Sequence, residues 1–289
     1  MRNGFVARYS SWGVLTGVPA CIYLMVAMVS HDWMQQPAFW AQGRLSHRSW
    51  NHLVTSVGAP ILIALCLWMA VRIRKHPQRF LAAAYLGVFV LLAIFSFQTL
   101  LVMNIEIVHF PQYAIFALLL YPITRRYGDT AILATLGGIL DEAYQYFFLY
   151  GDRGIHFDFN DVILNSIGAG FGLAIVFVVA RPAPPVIAGS GSARSIVRIS
   201  PVVLGAAALL ALCLILAWLD WIRLLPSADS SRWAIVLRRG GPSTMFWTET
   251  TWGKTYHEVQ PFEWLVVALG LHWPHIVLDR FGGPARSSR

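Results

Sequence analysis

Residues 105–172 read IEIVHFPQYAIFALLLYPITRRYGDTAILATLGGILDEAYQYFFLYGDRGIHFDFNDVILNSIGAGFG. Long apolar runs alternate here with short polar turns, yet carboxyl, imidazole and amide groups stand inside or beside the runs. Glu106 and His109 open one of them. Asp141, Glu142 and Gln145 lie within the next, and Gly151-Asp152-Arg153, Asp158, Asn160-Asp161 and Asn165 surround the start of the third. Polar and ionisable groups are costly in lipid and mark functional positions when they occur there, so this stretch is where function is sought.

The surroundings fix the solvent. Of the 289 residues 57% are hydrophobic and only 12% charged, with a mean hydropathy of +0.58. That is too apolar for a soluble domain with an ordinary polar surface. A net charge of +8 raises the question of nucleic acid. The basic residues, however, sit in short clusters between apolar runs, as orientation signals do, which excludes a nucleic-acid binder. Cys21, Cys66 and Cys213 lie within apolar runs without CxxC spacing and read as small buried hydrophobes. The run Val14 to Val29 leads into Ser30-His31-Asp32 and bulky residues without a small-residue cleavage site, so it reads as a retained anchor.

A helix needs about 20 apolar residues to cross the hydrocarbon core. Seven runs qualify: 11–30, 52–71, 80–103, 109–124, 129–150, 162–180 and 200–219. The fold class is therefore all-α, a polytopic bundle of about seven spans followed by a small mixed or β-hairpin tail. The N-terminus and the connections 72–79, 125–128 and 181–199 carry eleven Lys and Arg, against three on the opposite connections. This places the N-terminus in the cytoplasm and loops 31–51, 104–108 and 151–161 outside. Loop 31–51, with Trp33, Trp40 and Trp50, suits an interfacial segment but reads best as an outer loop with an ordinary aromatic belt, and 181–199, rich in Pro, Gly, Ser and Ala, as a flexible cytoplasmic linker. The expected organisation is a two-helix hairpin at 1–79, a four-helix core at 80–180, the linker, and 200–289 as a seventh span plus tail. In the tail, Trp233–Leu237 and Thr244–Trp252 flank Gly240-Gly-Pro242 and read as a hairpin. Phe262–Leu278, broken by His272, Pro274 and His275, reads as an interfacial or re-entrant helix, its crossing left open.

Orientation sends the polar groups of the central stretch to one side. His109 begins its span at the outer end, with Glu106 and Tyr113 on neighbouring helical positions. Glu142 lies about 12 Å below the outer end of its span, with Gln145 on the same face and Gly138 one turn before it. Asp161 opens the next span, with Asn165 one turn in and Gly168-x-x-x-Gly172 as a close-packing motif. His109, Glu142, Gln145, Asp161 and Asn165 thus converge on an outward-facing pocket near the loop that carries Arg153 and Asp158. Asn165 and Gln145 also suit simple interhelical hydrogen bonding, and Asp158 a turn. No P-loop, GxSxG or HExxH spacing is present, so no catalytic residue, metal site or cofactor is assigned.

The order Glu106-x-x-His109-x-x-x-Tyr113, Glu142-x-x-Gln145, then Arg153, Asp158, Asp161, Asn165 and Gly168-x-x-x-Gly172 resembles the VanZ-like family of bacterial membrane proteins over about residues 100–180. The family's founding member is associated with teicoplanin resistance, so the resemblance implies action at the outer face of the cell envelope. This chain departs from the pattern in the inserted Gly154-Ile-His-Phe157, in the additional acid Asp141, and in residues 200–289, which have no counterpart in the short members.

Together these observations point to a membrane protein whose polar pocket binds an envelope amphiphile, a lipid-linked precursor or a lipophilic glycopeptide. Glu142 and His109 would exchange protons and Arg153 would meet anionic head groups. A second reading is an accessory subunit of a larger membrane complex, with partners held through the Trp-rich tail (Trp247, Trp252, Trp264, Trp273). A third is a lipid-directed enzyme with Glu142 as general base.

Overall fold

The computed structural model describes residues 3–150, 156–179, 200–227, 233–238 and 245–281. Eight helices account for most of them: α1 (Asn3–Gln42), α2 (His47–Arg74), α3 (Arg79–Thr99), α4 (His109–Thr124), α5 (Tyr127–Tyr144), α6 (Phe159–Val179), α7 (Pro201–Trp218) and α8 (Pro261–Phe281). A 3₁₀ turn, Asn104–Val108, leads into α4, and a π turn, Gln145–Leu149, extends α5. Among the described residues, six helices are long and apolar enough to cross a membrane: α2, α3, α4 with its preceding turn, α6, α7 and α8. α5 carries Asp129, Asp141 and Glu142 and lies among α1, α4, α6, α7 and α8.

α6 is the hub of the bundle, because its sequence lets other helices come close. A Cβ on Gly168 would stand 2.7 Å from the Phe110 carbonyl oxygen and 2.8 Å from that of His109. A Cβ on Gly172 would strike the Ala114 backbone, and one on Gly170 the Phe89 ring. On α5, a Cβ at Gly138 would lie 3.1 Å from Asn165. Small residues at such positions are how helices associate in lipid, where burying apolar surface gives no advantage. Phe89, Phe171, Phe177, Leu164, Ile167 and Leu173 fill the remaining core.

The chain runs alternately between two ends of the bundle. One end gathers the start of α2, the end of α3, the starts of α4 and α6, the end of α5 and the start of α8. Trp252 stacks on His47 at 4.3 Å, Thr99 accepts the His257 N–H at 2.7 Å, and Asn160 binds the backbone of His257 and Val259. At the other end Asp279, in the last turn of α8, accepts the backbone N–H groups of Tyr127 (2.6 Å) and Gly128 (2.9 Å) and so caps α5. α4 turns into α5 through Arg125 alone in the left-handed region (φ 51°), which makes that connection short.

Three expectations are corrected. Residues 31–51 are not an outer loop: α1 continues helical to Gln42, Ser46 caps α2, and only 43–46 connect them. The run after Val29 is rich in helix formers, and Pro37 does not end the helix. Residues 261–281 form one continuous helix that traverses the bundle, with Leu271, His275 and Leu278 buried, despite Pro274 within it. In the tail, the run at 233–237 does not pair with 244–252. Instead β2 (Ile235–Val236) pairs in parallel with β1 (Ile222–Arg223), directly after α7. β3 (Thr248–Glu249) pairs antiparallel with β4 (Thr255–Tyr256), turning at Gly253 with φ 83°. Gly240–Pro242 and the linker lie outside the described residues.

Candidate functional site

The polar groups singled out in the sequence meet at the end of the bundle where α4 and α6 begin and α5 stops. His109, 4% exposed, lies between two residues of α6: its Nδ1 is 2.8 Å from Asn165 Oδ1, and its Nε2 is 3.5 Å from Asp161 Oδ2. Asp161 and Asn165 are one turn apart and therefore share a helix face. The glycine-lined contact of α6 with α4 brings that face against the imidazole. Tyr113, one turn below His109, donates its hydroxyl to Asp141 Oδ2 at 3.3 Å, which ties α4 to α5. On α5, Gln145 donates to Glu142 at 3.0 Å. Glu142 is 3% exposed and interacts electrostatically with Asp161, Asp158 and Asp141.

Two candidates act locally. Glu106 accepts the backbone N–H groups of Val102 (2.8 Å) and Met103 (2.9 Å), closing the turn before α4. Asp158 accepts from the N–H groups of Asn160 (2.8 Å) and Asp161 (3.4 Å) and so caps α6. Burial, and then the neighbouring Asp161, push the Asp158 carboxyl up to about 6 from its ordinary 3.8, against the opposing pull of His156 and of the N–H groups it caps. Arg153 lies outside the described residues. Among the described residues, no group of three His, Cys, Asp or Glu side chains is placed to hold a metal ion.

Two buried atoms of the cluster, Asp141 Oδ1 and Asn165 Nδ2, have no hydrogen-bond partner, although both residues are fully buried. Unsatisfied buried polar atoms are rare and call for a reason.

Several participants were not among the sequence candidates. Asn160 donates to the carbonyls of Leu100 (3.0 Å) and His257 (2.8 Å) and accepts from the Val259 N–H (2.8 Å), which binds the tail to the bundle. Its signal was its place beside Asp161. Asp141 stood out as an additional acid but had no assigned partner. From the tail, Arg238 pairs with Glu258 at 2.5 Å, and His156 reaches both Glu258 (3.4 Å) and Asp158 (3.9 Å). Nothing in sequence spacing links these four residues. Phe157 and Leu237 join backbones at 2.8 Å, and Tyr146 bonds the Val236 carbonyl, so the tail covers part of the polar end.

An all-helical bundle with six membrane-length apolar helices, centred on a glycine-lined helix, defines a polytopic membrane protein. A family model for VanZ/LLP1 matches residues 20–180, more than half of the chain, and the protein belongs to that family. The match begins within α1 and ends just after α6, so it takes in α1 and α2 as well as the stretch whose motifs carry the resemblance. No curated protein and no solved structure matches the chain.

Proposed function

We propose that the cluster around His109 and Glu142 is an outward-facing site for the polar head of an envelope amphiphile, a lipid-linked precursor or a lipophilic glycopeptide. The observation that carries this reading is the convergence of His109, Asp141, Glu142, Asp161 and Asn165 at one end of the bundle, with two of their buried polar atoms unpaired. Asp161, Asn165 and Gln145 fix the geometry, and Glu142 and His109 are the proton-exchanging groups. The basic connections at the opposite end support an inner-membrane protein with that end, and the N-terminus, in the cytoplasm. Arg280, in the last turn of α8, adds to the basic residues of that end.

The test compares wild type with Glu142→Gln and His109→Ala at equal expression, scoring teicoplanin susceptibility and envelope integrity. Both variants should lose the wild-type phenotype. If every phenotype survives both substitutions, the cluster only packs helices.

A second reading, an accessory subunit held by protein partners in the membrane, is favoured by α7, which has no buried residue along its length, and by the exposed Trp218, Trp247 and Trp273. Stoichiometric co-purification in mild detergent would support it, and a lone chain would count against it.

A further inference from the structure

Among the described residues, the polar end of the bundle gathers more acidic than basic side chains, which bears on what kind of head group it takes. Glu142 feels the charges of Asp161, Asp158 and Asp141, and Glu106 those of Asp161 and Asp158. The basic groups that face these five carboxyls among the described residues are His109, His31 and His156 toward Asp161, and the half-buried Lys254 toward Glu106. Arg238 is committed to Glu258 at 2.5 Å. Among the described residues, one permanent cation at the rim and three histidines thus face five acidic side chains. Outside the spans, burial first and the Asp161 charge second push the Asp158 carboxyl up.

An excess of acid alone would mean only shared protons. The second observation is geometric. Asn165 spends its amide oxygen on His109, and its Nδ2, fully buried and unpartnered, faces α5 at Gly138, where a Cβ would stand 3.1 Å from it. Asp141 follows Gly138 by three residues on α5, so it lies on a neighbouring part of the same helix surface, and its Oδ1 is also unpartnered. An unused donor and an unused carboxyl oxygen therefore lie about one turn apart on the α5–α6 seam, beside the other carboxyl groups of this end.

We infer that this end of the bundle takes a primary amine with an oxygen atom beside it. The ammonium donates to Asp141 Oδ1 and offsets the surrounding carboxylates, and the neighbouring oxygen accepts from Asn165 Nδ2. Ethanolamine lipids and amino sugars share this chemistry. A quaternary ammonium lacks the donors, and an acylated amine lacks the charge. The inference rests on the head-group site proposed above and narrows its ligand class.

The test is thermal unfolding of the full chain in mild detergent at pH 7.4, followed by tryptophan fluorescence, because a ligand that binds the folded state raises the midpoint in proportion to its saturation. Four probes are titrated: dihexanoyl phosphatidylethanolamine, dihexanoyl phosphatidylcholine, glucosamine and N-acetylglucosamine. A saturable rise with the ethanolamine lipid alone assigns a lipid head, with glucosamine alone a glycoside, and with both the shared amine chemistry. Phosphatidylcholine and N-acetylglucosamine should give none. Asp141→Asn should weaken the response about tenfold or more, the loss of one charge-assisted hydrogen bond. Glu142→Gln should weaken it as well and serves if Asp141→Asn does not fold. Glu249→Gln, on the exposed hairpin, should leave it unchanged. Equal shifts with the acylated or quaternary probes, or no shift with either primary amine, overturn the inference. If that happens while Glu142→Gln still abolishes the envelope phenotype, the head-group site stands and only the amine assignment falls.

Discussion

α6 and α7 are both long, strongly apolar helices, and by hydropathy each is fit to cross a membrane. In the folded chain they have opposite fates. Along the most apolar stretch of α6, 83% of residues are buried; along that of α7, none. What separates them is not oiliness but small and polar residues. α6 presents Gly168, Gly170 and Gly172 to its neighbours, with Asn165 and Ser166 bonded across to α4 and α5. α7 has Gly205 with nothing within 4 Å of a Cβ there, and apolar side chains elsewhere. In lipid, apolar surface gains little by leaving the tails, so close backbone approach and interhelical hydrogen bonds decide which helix becomes the core.

The strongest way to break this contrast is to give α6 a side chain at its closest contact. Gly172→Leu must push α6 off the Ala114 backbone and should cost about 3 kcal/mol or more, read as a lower unfolding midpoint and loss of monodisperse protein in detergent. Gly205→Leu in α7 should change neither. A smaller effect tests the polar bond: a double-mutant cycle on His109→Ala and Asn165→Ala should give a coupling of about 0.6–2 kcal/mol. A coupling near zero would reduce α6 to a helix held by shape alone.

The smallest contrast lies at the helix starts. α7 begins at Ser200, whose hydroxyl accepts the Val202 N–H at 3.1 Å, whereas α6 begins at Asp158. Asp158 holds its proton more tightly folded than unfolded, so its contribution to stability is full below about pH 4 and declines as pH rises through about 6. Asp158→Asn keeps the cap and should flatten that part of the pH profile, at a cost below about 1 kcal/mol at pH 7. Ser200→Ala should cost a similar amount with no pH dependence.

The contrast also explains what the sequence allowed. α4 was legible to the residue because Pro111 and the apolar run agree on its start. The Gly168 and Gly172 spacing reads as a close-packing motif, and in the fold both glycines lie against the α4 backbone, while His109 meets Asp161 and Asn165. Which helix the glycines face, α4 rather than α5, depends on tertiary packing that no spacing encodes. α8 was obscured because His272, Pro274 and His275 read as interruptions. In the fold His275 meets Tyr85 at 2.5 Å and His272 meets Thr135 at 3.2 Å, so these polar groups are satisfied inside the bundle. The tail misled for a different reason. Strands of two residues carry too little alternation to fix their partners, and the Arg238–Glu258–His156 chain is assembled from segments with no common period.

Asp279 has a consequence for how the protein is made. The carboxylate that caps α5 lies 152 residues after Tyr127, in the last turn of α8. A nascent chain that has already delivered α4, α5 and α6 to the membrane still has the start of α5 uncapped, and it stays so until residue 279 has been made. The native bundle is therefore completed after synthesis of its family-matched region has ended, and a message truncated before codon 279 yields a protein whose core helices lack one of their own fastenings.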